Sequence, residues 1–165
     1  MLRSAPVSDP RVPVERAFQV PDPLSPTERM AILEVATLVS AADRRMNQEE
    51  RQALERVAAR LWEGWADSPP SGADLDTLLD RFSEERERDG QDARLEAIAA
   101  ALPRPTLRVL AYRVACAMAI SDRDLNDREF ELDLSLIAAL GLPQATADEL
   151  AAEVHQALAR LSERP

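Results

Sequence analysis

The chain has 165 residues, enough for one domain with a sizeable core, and 45% of them are hydrophobic, which excludes a disordered protein. Aromatics make up only 4%, so the core must be built from Leu, Ala, Val and Ile. The net charge is −10 and all 20 basic residues are arginine. That balance argues against binding nucleic acid or anionic lipid, which need a cationic surface, and suits a cation or a basic partner.

Cys116 is the single cysteine, so an internal disulfide is excluded. The stretch ahead of Pro26 lacks the apolar run of a signal peptide, and no apolar run in the chain is long enough to span a membrane. A cytoplasmic protein is the expectation.

Six of the 12 prolines fall between Pro6 and Pro26, and residues 1–24 read as a disordered, Pro-rich arm ahead of a single helical domain over 25–165. Helices follow. Ser25-Pro-Thr-Glu28 is a capping box with Pro at the first helical position, opening a helix to about Ala42. Asn47-Gln-Glu-Glu50 is a second box, opening a helix to about Ala66 with Leu54, Val57, Leu61 and Trp65 on its inward stripe. By this spacing Trp65 is core and Trp62 is the tryptophan expected at the surface. Asp67 to Gly72 make a turn. Leu75, Leu78, Leu79 and Phe82 mark a third helix ending near Gly90, with "RFSEERERDGQD" (81–92) its solvated, ion-paired face. Leu95, Ile98 and Leu102 mark a fourth, stopped by Pro103.

Pro105 opens a fifth helix carrying "VACAMAI" (114–120), apolar all round and therefore central. Asn126-Asp-Arg-Glu129 opens the sixth, which Gly141 and Pro143 close. Thr146-Ala-Asp-Glu149 opens the seventh, with Leu150, Val154, Leu158 and Leu161 facing inward. Strand alternation is nowhere convincing, and the fold class is all-α: a seven-helix bundle.

The chain repeats itself when Asp43 is laid over Asp122, which brings "EVATLVSAADRRMNQEERQALERVAARL" onto "RVACAMAISDRDLNDREFELDLSLIAAL". The shared unit is an apolar helix, Asp43 or Asp122, an Asn cap, then Glu50 or Glu129 in the next helix. It implies two similar hairpins related by a pseudo-twofold axis.

The second copy looks at first like an EF-hand loop, with Asp122, Asp124, Asn126 and Asp133 near ligand positions. Position 6 is Asp127 where the loop needs Gly, and the first copy has Arg45 and Leu54 at positions 3 and 12, so the EF-hand is rejected. Asn47 and Asn126 cap helices, Glu50 and Glu129 reach back to the caps, and Asp43 and Asp122 serve the turns. One feature exceeds capping. Glu50 shares a helical face with Leu54, Val57 and Leu61, and Glu129 with Leu136 and Leu140, so each carboxylate faces inward. A buried carboxylate needs donors or a cation. If the hairpins meet at their turns, Ca²⁺ or Mg²⁺ among Asp43, Glu50, Asp122 and Glu129 would relieve the repulsion, with Asp124 and Asp127 peripheral.

"SAADRRMNQEE" and "AISDRDLNDRE", each at a turn after an apolar helix, resemble the TerB-like family of tellurite-resistance and stress-response helical domains, over roughly residues 27–160. The resemblance implies an all-helical domain with a pseudo-symmetric pair of hairpins and acidic residues proposed to bind divalent metal. It also implies a role in bacterial stress-response or membrane-associated assemblies. By position the acidic roles fall on Asp43, Glu50, Asp122 and Glu129. Arg44 and Arg123 stand where the family commonly has Gly, and a guanidinium beside each Asp could neutralise it internally.

Elsewhere the chemistry is sparse. His155 reads as a flank residue and Cys116 as a small core residue. No nucleophile elbow, Gly-rich phosphate loop or Glu-x-x-His spacing appears. The first reading is therefore a non-enzymatic TerB-like module with a cation between its hairpins, meeting a protein partner and a membrane only through that partner. A metal-free interaction scaffold and a metal-dependent hydrolase are the alternatives.

Overall fold

A computed structural model describes residues 13–21, 23–40, 46–120 and 127–163, with residues 120, 127–130 and 162–163 described by backbone alone. Among the described residues there are seven α-helices, one short 3-10 turn at Val14–Arg16, and no strand. The helices are α1 (Pro26–Ser40), α2 (Gln48–Leu61), α3 (Gly72–Asp89), α4 (Gln91–Ala101), α5 (Pro105–Ile120), α6 (Asp127–Leu140) and α7 (Gln144–Glu163). No helix among the described residues is long and apolar enough to cross a membrane.

The local signals act as the spacing predicts in most places. At α1, the Ser25 N–H donates to Glu28 Oε1 at 2.8 Å and the Glu28 N–H to Ser25 Oγ at 3.2 Å. At α6, Gly141 adopts φ +68°, the Leu142 N–H bonds the Ile137 carbonyl, and the Gly141 N–H bonds that of Ala138, which closes the helix in a Schellman motif. Two boundaries differ. α2 ends at Leu61 rather than near Ala66, because the chain turns through Gly64 at φ +88°. α7 starts two residues ahead of Thr146, directly after Pro143, so Thr146 lies in its first turn and not at its cap.

α5 lies at the centre, with its most extensive contacts to α1 and α7 and further ones to α2 and α6. Val114, Ala115, Cys116, Ala117 and Met118 are all buried, as the unbroken apolar run requires. α3 is peripheral. It buries only Leu75, Leu78 and Phe82, packs chiefly on α4, and joins α4 through the single residue Gly90.

The described part of the expected arm, residues 13–21 and 23–24, is packed against the helices. Val14, Ala17, Phe18 and Leu24 belong to the hydrophobic core, and the 3-10 turn packs on α2, α5 and α7. Arg56 Nε donates to Glu15 Oε1 at 3.0 Å, and Arg60 reaches Gln19 Oε1 at 3.2 Å. The burial of three large apolar side chains, Val14, Phe18 and Leu24, each contributing roughly 1.5–3 kcal/mol, overrides the extended bias of the prolines around them. Residues 1–12 lie outside the described residues.

Under the shift that carries Asp43 onto Asp122, the bounds of α1 fall on 105 and 119, and those of α2 on 127 and 140, which are the bounds of α5 and α6 to within one residue. Burial repeats as well. Ala53, Val57, Ala58 and Leu61 are buried, and so are their counterparts Leu132, Leu136, Ile137 and Leu140. Arg29 and Arg108 are a further matched pair, each in the first turn of a helix, α1 or α5, and each reaching the end of the next one, α2 or α6. Arg29 stacks on Trp62, immediately after α2, and Arg108 Nη1 donates to the carbonyl of Leu140, the last residue of α6, at 3.2 Å.

Candidate functional site

The first acidic turn lies between the end of α1 at Ser40 and the start of α2. Asn47 is extended, with φ −83° and ψ 174°, which turns its side chain onto the helix start. Its Oδ1 accepts the Glu50 N–H at 2.8 Å, and Glu50 Oε1 accepts the Asn47 N–H at 3.0 Å. The capping box is thus complete, and it fixes the Glu50 carboxylate at the first turn of α2. Glu50 is 4% exposed, as its place on the apolar stripe predicts. Half-buried Met46 packs against the core just before it, which anchors the approach to the cap.

Of the four carboxylates expected to hold a cation, Glu50 is the one whose side chain is described. Asp43, Asp122 and the peripheral Asp124 lie outside the described residues. Glu129 and Asp127 are on α6, which is described there by its backbone. Among the described residues no three His, Cys, Asp or Glu side chains come together as a metal group would require. The oxygen donors in the four positions suit a hard divalent cation.

Asp133, from the same acidic stretch, turns to other work. It accepts the Tyr112 hydroxyl at 2.9 Å across the α5–α6 contact. Burial holds its carboxyl above the usual carboxylate range against that hydrogen bond, and the Asp148 charge adds to the rise. Burial also pushes the Tyr112 phenol well above its ordinary value and the Cys116 thiol up to about 12. Near neutral pH the thiol is therefore protonated, the state of a core cysteine rather than of a nucleophile. His155 is exposed on α7.

No protein-family model, no curated protein and no solved structure matches this chain.

The tryptophans are placed the other way round from expectation. Trp62 is 5% exposed and Trp65 is 38% exposed, because α2 stops before Trp65 can join its stripe. The Arg29 guanidinium lies 4.5 Å from the centroids of both indoles. Asp67 ties the group together by accepting from Arg29 Nη1 at 3.2 Å and from Trp62 Nε1 at 3.1 Å.

A second buried carboxylate escaped the sequence reading altogether. Glu34, buried in α1, receives Arg94 of α4 as a two-pronged partner, Nη2 to Oε1 at 2.7 Å and Nε to Oε2 at 2.9 Å. Arg94 Nη1 also reaches Glu85 of α3 at 3.1 Å. The signal was present: Glu34 is a lone acid inside "MAILEVATLVS". Its partner lies 60 residues on, in a segment that reads only as an amphipathic surface helix.

Proposed function

We propose that the protein is a non-enzymatic TerB-like module. Its two helix–acidic turn–helix units are related by a pseudo-twofold axis, and Ca²⁺ or Mg²⁺ binds between them through Asp43, Glu50, Asp122 and Glu129. It acts in the cytoplasm as part of a bacterial stress-response assembly, through a protein partner that also provides any link to a membrane. The observation that carries this reading is Glu50, a carboxylate almost withdrawn from water at the first turn of α2, in an acidic stretch whose residue pattern recurs between Asp122 and Glu129. The recurrence of helix bounds, core positions and the Arg29 and Arg108 clasps supports the paired hairpins. Two such turns brought together concentrate like charge that a hard cation relieves.

One observation favours a second reading, a metal-free interaction scaffold. Glu50 Oε1 is engaged by the Asn47 N–H, as a purely structural capping box requires. Calorimetric titration of Ca²⁺ and then Mg²⁺ into chelator-treated protein separates the two readings, with the Asp43→Asn/Asp122→Asn double variant and Glu50→Gln alongside. Glu50→Gln keeps an oxygen for the cap and removes the charge. Saturable heat in the native protein, lost in the double variant and weakened in Glu50→Gln, is the expected result. Absence of heat in all three, with the double variant less heat-stable, returns the turns to capping alone.

A further inference from the structure

Away from the acidic turns, α1, α3 and α4 enclose an open cleft of about 370 Å³, within the range of small-molecule sites. Ala31, Phe82 and Ile98 are its buried apolar lining, and Met30 is a half-buried member of the same wall. Glu34 and Arg94 interrupt that lining, and Arg81 and Glu85 add further charge to it. An ion pair set into apolar surroundings is costly to desolvate, and packed apolar residues would serve stability as well or better.

The hydrogen-bonding capacity left in the cleft is one-sided. Each Glu34 oxygen accepts one bond from Arg94, while a carboxylate has about four acceptor positions. Arg94 spends its Nη1 on Glu85 at 3.1 Å and Asp89 at 3.7 Å. The spare capacity is therefore mostly acceptor, and it calls for a donor. Arg81 already provides an example. Its guanidinium stands 5.7 Å from the Phe82 ring centroid and its Nε lies 3.4 Å from Glu85, a cation on an apolar stem held by an aromatic face and a carboxylate. The Arg81 side chain is 56% exposed, and an i,i+4 pair of that kind is cheaply displaced. With Arg81 swung out, the carboxylates of Glu34, Glu85 and Asp89 are opposed by Arg94 and by Arg88, which pairs with Asp89, and this leaves room for one positive charge. The chain's net charge of −10 draws cations toward it.

We infer that this cleft binds a small organic monocation, a primary amine or guanidine on a short apolar stem. The head sits at Glu34 and Glu85, and the stem lies against Phe82, Met30 and Ile98.

The test is titration of n-hexylamine into the full chain, followed by NMR shifts or calorimetry, with n-hexanol and hexanoate as probes of equal length. Saturable binding of the amine, with hexanol weaker and hexanoate weakest, is expected. Arg81→Ala vacates the mouth and should tighten amine binding by about 1.5- to 5-fold, the equivalent of an exposed ion pair. Ala97→Trp, an exposed position on the cleft wall, should weaken it more than about tenfold by filling the space. Thermal unfolding of both variants verifies that they fold. Equal binding of amine and alcohol, tighter binding of hexanoate, no saturation by the amine, or an affinity unchanged in folded Arg81→Ala overturns the assignment.

Discussion

Replacing Arg29 with methionine removes a charge from between two indoles while keeping an unbranched stem in the gap. The guanidinium is 4% exposed and 4.5 Å from each ring centroid, so both stacks operate largely out of water. Desolvated cation–π contacts contribute about 1–2 kcal/mol each, or about 2–4 kcal/mol for the pair. The Asp67 ion pair adds less than about 1 kcal/mol, because the Asp67 side chain is 58% exposed. Two effects oppose this. Among the described residues Arg29 Nε is buried without a hydrogen-bond partner, a cost of about 1 kcal/mol that methionine does not carry. The thioether also packs against the rings and regains about 0.3–1.5 kcal/mol. The net expectation for Arg29→Met is a loss of about 1–2 kcal/mol, and Arg29→Ala should lose about twice that by leaving a cavity. Urea unfolding read by intrinsic fluorescence is the assay, since Trp62 and Trp65 are the chain's two tryptophans. A double-mutant cycle of Arg29→Met with Trp65→Leu should give a coupling near about 1 kcal/mol. A coupling below about 0.3 kcal/mol would reduce the stack to ordinary packing and refute the reasoning.

Three further outcomes are expected. Phe18→Ala should destabilise by about 3–5 kcal/mol in the same urea assay, because the ring is 2% exposed inside the core, whereas a segment merely resting on the surface would lose under about 0.5 kcal/mol. Gly90→Ala should cost on the order of 1–3 kcal/mol from backbone strain alone, since φ is +89° and an added Cβ meets nothing within 4 Å; unchanged stability would show that the joint relaxes freely. Asp133 has a folded-state pKa raised above the unfolded value, so its contribution to stability is present below the unfolded pKa and is lost as pH rises through the folded one. Asp133→Asn should therefore raise Tm at neutral pH, with the gain disappearing toward about pH 4, and a lower Tm at neutral pH would mean that the charged Tyr112 hydrogen bond outweighs burial.

What could be read from the chain was what is local. The capping boxes at Ser25 and Asn47 form as written because donor and acceptor are three residues apart. Glu50 is buried because helical spacing alone puts it beside Leu54 and Val57. What could not be read depends on distant partners. The prolines near the start suggest a loose arm, yet Val14 and Phe18 join the core and the 3-10 turn packs on α2, α5 and α7. The tryptophans exchanged roles because one glycine ended α2 early. Glu34 pairs across 60 residues, and no spacing rule reaches that far. Arg29 and Arg108 lie at the repeat offset, but their common task shows only once they are seen touching the ends of α2 and α6.

The seating of Val14 and Phe18 sets a schedule for biosynthesis. Both precede the described α-helices, and the 3-10 turn that carries Val14 is seated on α2, α5 and α7. At translation rates of about 5–20 residues per second, the nascent chain carries this turn incompletely seated for on the order of ten seconds, until α7 is made. A segment made ahead of α1 thus completes its packing only once α7 exists, and a pause late in translation prolongs the interval in which a chaperone, or a neighbouring nascent chain, can reach it.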